Sequence, residues 1–203
     1  MSLSKAEIVS IKSSLRREAL QARQAMPPAH HAQSSLDLAE RLDGLLSAQG
    51  WQRPLVFWPW RAEPDLRGLW ARWRSRGLAL GLPVVQTMDA PLALVAWGPD
   101  DAWTSDAMGL PVPVPVHQKA FDPDCWVVPC VAVDAEGHRL GAGKGFYDRT
   151  WAAWPPDHRP PALVGVCFEA ARRPASFGEP HDLRLDWLVT EQSVWQVPGP
   201  GPR

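Results

Sequence analysis

The 203-residue sequence predicts an α/β fold: a layered, mostly parallel sheet flanked by helices. Three observations carry that prediction. Short apolar runs of strand length recur along the chain, segments with a helical apolar stripe lie between them, and Gly or Pro marks the junctions.

The first helix spans residues 4–26. Ile8, Ile11, Leu15, Ala19, Ala22 and Met26 recur at steps of three or four and form one stripe. Pro27 and Pro28 end it, because proline lacks an N–H and restricts the residue before it. A second helix covers 29–47. Its apolar surface is Leu36, Leu38, Ala39, Leu42, Leu45 and Leu46, and Gly50 closes it. Leu55-Val56-Phe57-Trp58 is the first strand. A helix over 64–76 follows, opened by Pro64 and stopped by Gly77. Strands are expected at 78–85 and 92–97. Residues 98–125 show no period and carry five prolines, which predicts a long functional loop. Strand character resumes at 126–133, a helix is expected over 146–154, and the last strands fall at 162–167 and 187–190. There is no internal repeat. The tail 198–203 is expected to be disordered, leaving 1–197 as a single domain.

Composition excludes several function classes. The apolar share is 45% and the charged share 21%, as in ordinary soluble domains. A net charge of −1 offers no attraction to nucleic acid or an anionic membrane. No apolar run nears the roughly 18 residues of a membrane span, and no signal-peptide core is present. Cys125, Cys130 and Cys167 are odd in number and form no CxxC pair, so unpaired thiols in the cytoplasm are expected. With 12 Trp, most of the indoles must serve as packing.

Residues 139–148, Arg-Leu-Gly-Ala-Gly-Lys-Gly-Phe-Tyr-Asp, are the most informative segment. Three alternate glycines free the backbone to turn its amides toward one point. Arg139 and Lys144 add cations, and Asp148 adds a carboxylate. The set suits a polyphosphate with a divalent metal. It is not a P-loop, since Gly145 follows Lys144 where Ser or Thr is needed and His138 occupies the first Gly position. It is not a Rossmann fingerprint, since Phe146 stands at the third Gly. Asp148 has two readings: a charge that complements the helix dipole, or a Mg²⁺ ligand. Lys12 and Arg16 share a helix face, which reads first as a solvated flank and second as an anion site.

These residues together resemble the 5-formyltetrahydrofolate cyclo-ligase family, also called 5,10-methenyltetrahydrofolate synthetases. Lys12 and Arg16 match its N-terminal Lys-x-x-x-Arg. Glu63-Pro-Asp65 matches its acidic pair, Arg139 to Asp148 its signature, and His181-Asp182 its late acid before the last strand. Ala142 and Phe146 depart from the pattern, as does the stretch 108–113. The resemblance implies a fold similar to the sugar-phosphate isomerase and CoA-transferase group. It also implies a monomeric cytoplasmic ligase that uses ATP and Mg²⁺ to close 5-formyltetrahydrofolate, a reduced folate, into 5,10-methenyltetrahydrofolate. The implied roles follow residue by residue. ATP is expected at Lys12, Arg16, Arg139, Leu140, Gly141, Ala142, Gly143, Lys144, Gly145, Phe146 and Tyr147. Lys144, Arg139 and Tyr147 are the expected catalytic groups. Folate is expected at Trp60, Glu63, Asp65, Phe146 and Tyr147, with either Glu63 or Asp65 on the pterin. Asp148 and Asp182 are the expected Mg²⁺ ligands. Two other readings stand beside this one: a related ligase acting on another small amide, and a nucleotide-binding relative without chemistry.

Overall fold

A computed structural model describes residues 5–98, 100–114 and 120–199. Ser4, Pro99, Pro115 and most of the expected tail, 200–203, lie outside the described residues. In chain order the elements are α1 (Lys5–Gln24), α2 (Pro28–Gln49), β1 (Pro54–Leu55), α3 (Arg67–Ser75), β2 (Leu80–Val84) and β3 (Ala93–Trp97). Next come β4 (Trp103–Ser105), β5 (Pro111–Pro113), β6 (Cys125–Pro129), β7 (Ala132–Val133) and β8 (Arg139–Leu140). α4 (Phe146–Ala152), β9 (Ala162–Val166), a 3₁₀ turn (Glu169–Ala171), β10 (Trp187–Val189) and β11 (Val194–Gln196) complete the chain.

The main sheet has the order β11-β10-β9-β6-β1-β2-β3. Its middle strands, from β10 through β9, β6 and β1 to β2, are parallel, and the edge strands β11 and β3 are antiparallel to their neighbours. The predicted class is the observed one. A parallel sheet needs cover on both faces. On one face, Leu38, Leu42 and Leu46 of α2 and Leu69, Trp70 and Trp73 of α3 pack with Val56, Val127 and Val164. On the other, Trp126, Leu163 and Leu188 meet Tyr147, Trp151 and Trp154. Two core indoles find acceptors: Trp70 donates to the Phe57 carbonyl at 3.1 Å and Trp73 to Asp43 at 2.7 Å.

The structure corrects several expectations. α1 buries Lys12 and Ala19, while Ile11 is exposed, so the packed face is rotated from the apolar stripe. Leu36 of α2 points to solvent at 61% exposure. α3 begins at Arg67 instead of Pro64, because Asp65 accepts the Arg67 amide and ends the preceding loop. Residues 98–125 are not structureless, since β4 and β5 pair antiparallel within them. The strand expected over 126–133 divides into β6 and β7, while β8, β11 and the 3₁₀ turn were not expected. At two or three residues each, the last three are too short to show a period.

β1 leads to β2 on one side and β6 leads to β9 on the other, so strand order reverses between β1 and β6. Open α/β sheets bind ligands beyond the carboxyl ends of the strands at such a point. No helix among the described residues is long and apolar enough to cross a membrane.

Close packing at the sheet centre gives a stability prediction. A Cβ on Gly165 of β9 would lie 2.4 Å from Leu185 Cδ1 and 3.0 Å from Cys130 Sγ, both on buried side chains. Gly165→Ala is expected to lower the unfolding free energy by about 1–3 kcal/mol through overpacking. The check is the urea midpoint at an unchanged m-value, and a parental midpoint contradicts the packing.

Candidate active site

A cavity of about 510 Å³ opens at this reversal, against Phe57 beyond β1 and Pro129 at the end of β6. It gathers residues from distant parts of the chain. Lys12, Arg16, Trp60, Glu63, the whole stretch from Arg139 to Asp148, and Asp182 all line it. Asp65 does not. Its carboxylate is held by Arg67, with Nε at 2.8 Å and Nη2 at 2.6 Å. Of the two acids offered for the pterin, Glu63 is the one inside.

The signature loop is set by the turn before it. Fully buried Asp134 accepts the backbone amides of Glu136, His138, Phe177 and Gly178. Gly137 sits at φ +84°, which lets β7 turn back into β8. Asp134, Glu136 and His138 bring three possible ligand atoms together, but those amide bonds give the Asp134 carboxylate a structural task. Arg139 then enters the site. Its Nε donates to the Pro129 carbonyl at 2.9 Å, and its guanidinium lies 4.7 Å from the Tyr147 ring centroid. A Cβ at Gly141 would stand 2.6 Å from Arg139 Nη1, so the first glycine makes room for the guanidinium. Gly143 and Gly145 instead supply left-handed backbone, at φ +93° and +66°. Gly145 is the N-cap of α4, whose seven residues make it shorter than expected.

At the cationic end, Lys12 is 6% exposed and donates to Glu179 Oε2 at 2.7 Å and to Asp182 Oδ2. Burial draws its pKa down, but hydrogen bonds to Asp182 and Glu179 outweigh that and hold it above the ordinary lysine value. Arg16 donates from Nε to the Gly141 carbonyl at 2.9 Å. Burial lowers its pKa against the pull of Asp182 and Asp148. The Lys12–Arg16 pair is therefore no solvated flank. Asp148 Oδ1 accepts the Leu183 amide at 3.1 Å, joining the signature to the segment that carries Asp182. Lys144 is exposed and has no ion pair among the described residues. Glu179, His181 and Arg149 also line this end and were missed. Glu179 lies three residues before Asp182, and Arg149 directly follows the signature.

Much of the remaining lining is apolar, with Phe57, Leu82, Met108 and Leu110 among its walls. Trp103 is not part of it and packs between Trp58 and Trp97. Two carboxyl groups join these walls: Asp106, whose oxygens accept the amides of Val85, Met108 and Leu110, and Glu63. Glu63 Oε2 accepts the Trp60 amide at 3.0 Å. Burial pushes its carboxyl up to about 7, against the lowering influence of Arg23. Burial also raises the Tyr147 phenol well above its ordinary value, so Tyr147 stays protonated at neutral pH.

A family model described as the 5-formyltetrahydrofolate cyclo-ligase family matches residues 8–191. The chain belongs to that family. The matched span holds every site residue named above, and the members of this family are ligases. The 5-formyltetrahydrofolate cyclo-ligase of Mycolicibacterium smegmatis is 34% identical over 188 residues, covering 88% of this chain and 93% of that protein. The Escherichia coli protein of the same name is 37% identical over 73 residues, and this match spans 36% of the chain and 39% of the E. coli protein. The NMR structure of Aquifex aeolicus 5,10-methenyltetrahydrofolate synthetase superposes with a TM-score of 0.78 at 26% identity, covering 95% of this chain and 96% of that one. A Mycoplasma pneumoniae 5,10-methenyltetrahydrofolate synthetase shares the fold, with a TM-score of 0.67 at 18% identity and coverage of 89% and 98%.

The raised Glu63 pKa links stability to pH. Between the ordinary value of 4.5 and about 7, the folded chain binds more protons at Glu63 than the unfolded chain. Stability from this group is therefore full below that window and lost as pH rises through it. Glu63→Gln keeps an acceptor for the Trp60 amide and removes the titration. The variant is expected to gain on the order of 2 kcal/mol over the parent at pH 8, with the gap closing by pH 4.5. Denaturation across pH 4–8 checks this, and parallel curves for the two proteins refute it.

Proposed function

We propose that this chain is an ATP- and Mg²⁺-dependent 5-formyltetrahydrofolate cyclo-ligase that activates the formyl oxygen by phosphorylation. The supporting observation is that one cavity joins the cationic signature to an apolar lining that also carries Glu63, whereas the Asp106 carboxylate there is taken up by the amides of Val85, Met108 and Leu110. Such a space suits a polyphosphate at one end and a pterin at the other.

A formamide oxygen is a poor leaving group. In the proposed reaction it attacks the γ-phosphorus of ATP in line and ADP departs. N10 of the folate then attacks the activated carbon and loses its proton, and the oxygen leaves with phosphate. Phosphoryl transfer of this kind depends on positioning and charge neutralisation. Lys12, Arg16, Arg139 and Lys144 bind phosphate oxygens, assisted by the amides from Leu140 to Phe146. Phe146 and Tyr147 line the junction between the substrates, where protonated Tyr147 keeps an O–H to donate. Trp60 covers the pterin, and Glu63 accepts its ring N–H and amino hydrogens.

The donor set fits Mg²⁺. Asp148, Asp182 and Glu179 offer only oxygens, and of the Asp148 oxygens Oδ1 takes the Leu183 amide. Asp148 and Asp182 are the proposed ligands. The ion would supply positive charge to the phosphate oxygens during transfer.

Purified protein mixed with 5-formyltetrahydrofolate and MgATP is expected to form the methenyl product, followed by its near-UV absorbance. No product under these conditions removes the reading. Asp148→Asn keeps an acceptor for the Leu183 amide, so the fold should persist while turnover drops about 100-fold or more. Near-parental turnover would sink the metal assignment. Lys144→Ala is expected to raise the KM for ATP about tenfold and leave the folate KM near parental. An unchanged KM for ATP contradicts a phosphate role.

A further inference from the structure

Four consecutive carbonyls, from Trp60 to Glu63, are held by side chains from two helices. Arg23 of α1 donates through Nε to the Arg61 carbonyl at 3.0 Å and through Nη2 to the Trp60 carbonyl at 3.5 Å. His31 of α2 reaches the carbonyls of Ala62 and Glu63 through Nε2, each at 3.2 Å. Both partners are acceptors, so Nε2 carries the proton.

The turn they hold is strained. Arg61 sits at φ +48° and Ala62 at φ +57°. The Glu63 amide donates to the Trp60 carbonyl at 3.1 Å and closes the turn. Two central residues of positive φ under that bond define a type I′ turn, which selects Asn-Gly. Here it carries Arg-Ala, whose Cβ atoms crowd the following carbonyls. Type I′ turns suit the twist of a hairpin, but this turn joins β1 to α3, so no strand pairing selects it. A type I turn would make the same closing bond without strain and would face the carbonyls the other way. The grip from α1 and α2 is what the mirror form gains. In that form Glu63 faces the cavity, with Oε2 folded back on the Trp60 amide.

We propose that Arg23 and His31 are positioning residues: by gripping this strained turn they hold Glu63 toward the folate. The inference rests on the reading of Glu63 given under the proposed function. Neither residue lines the cavity, so their hydrogen bonds reach the site through the turn. Arg23 has a second effect. The groups electrostatically coupled to Glu63 are Arg23 from α1, Arg139 from β8, Tyr147 from α4 and Cys130 beyond β6. Arg23 is the foremost cation favouring the ionised carboxylate against burial.

The test is a cycle of steady-state kinetics on the purified chain with 5-formyltetrahydrofolate and MgATP. R23Q and H31F are made in the parent and in an R61N/A62G background, where Asn-Gly adopts the turn unaided. In the parent, each is expected to raise the folate KM about tenfold and leave the ATP KM within about twofold. In the R61N/A62G background, H31F should change the folate KM by less than about twofold, and R23Q should keep only the smaller part of its effect that comes from the charge lost beside Glu63. R23K, which keeps the charge, is expected to recover part of the loss. Equal losses in both backgrounds, or an ATP KM that rises in step, overturn the proposal, because the residues then support the helix and not the turn. E63Q separates the two levels. A parental folate KM for E63Q removes the reading of Glu63. A raised KM for E63Q with parental values for R23Q and H31F removes the clamp alone.

Discussion

The Lys12 ammonium, buried between Glu179 and Asp182, is the interaction on which the site depends. A lysine so buried requires anionic partners, and two carboxylates this close require a cation. The pairing fixes α1 against a segment nearly the whole chain away. Once α1 lies there, Arg16 falls on the Gly141 carbonyl one helical turn later, and Arg23 falls on the turn at residues 60–61 two further turns on. The rotated packing of α1 has the same cause. Its buried face was chosen by charge pairing at the site, and Ile11 was left outside.

The signature loop illustrates a second constraint. Its alternate glycines look equivalent in sequence, but they meet different demands. Gly141 yields space to the Arg139 guanidinium, whereas Gly143 and Gly145 supply left-handed backbone. The Arg139 side chain is anchored at Nε and lies over Tyr147, so its position is set before any anion arrives. Preorganised charge of this kind stabilises a developing anion without reorganisation. Asp134 underlies the arrangement by tying the turn before Arg139 to the amides of Phe177 and Gly178.

Much of this was legible in the sequence, for identifiable reasons. The long helices α1 and α2 and the buried strands β6 and β9 have enough residues to show their period. The signature loop was legible because its glycines and charges are contiguous. The sequence did not reveal which face of α1 is buried, because apolar periodicity cannot weigh a paired Lys12 against an unpaired Ile11. Glu179 was missed, although Asp182 beside it was found, because its task appears only when Lys12 arrives from another element. Asp65 and Glu63 could not be told apart by type, and only the Arg67 pairing removes Asp65 from the cavity. Arg23 and His31 left no local signal at all, since their partners are backbone carbonyls that any sequence possesses.

The spacing along α1 completes the physical argument. Lys12 and Arg16 stand beside the signature loop and the segment of Asp182, and Arg23 holds the turn that carries Glu63. At 1.5 Å per residue, Lys12 and Arg23 stand about 16 Å apart on one rigid rod. The proposed reaction joins an atom of the folate to an atom of ATP, and reacting atoms must meet within about 3–3.5 Å. A single helix bearing both anchors keeps that meeting point constant without a hinge between two bodies. In the proposed reaction a triphosphate would meet cations and amides near Arg16, and the pterin N–H groups would meet an acceptor at Glu63. For that reaction, one helix therefore carries both the cations beside the signature loop and the anchor of the turn that holds Glu63.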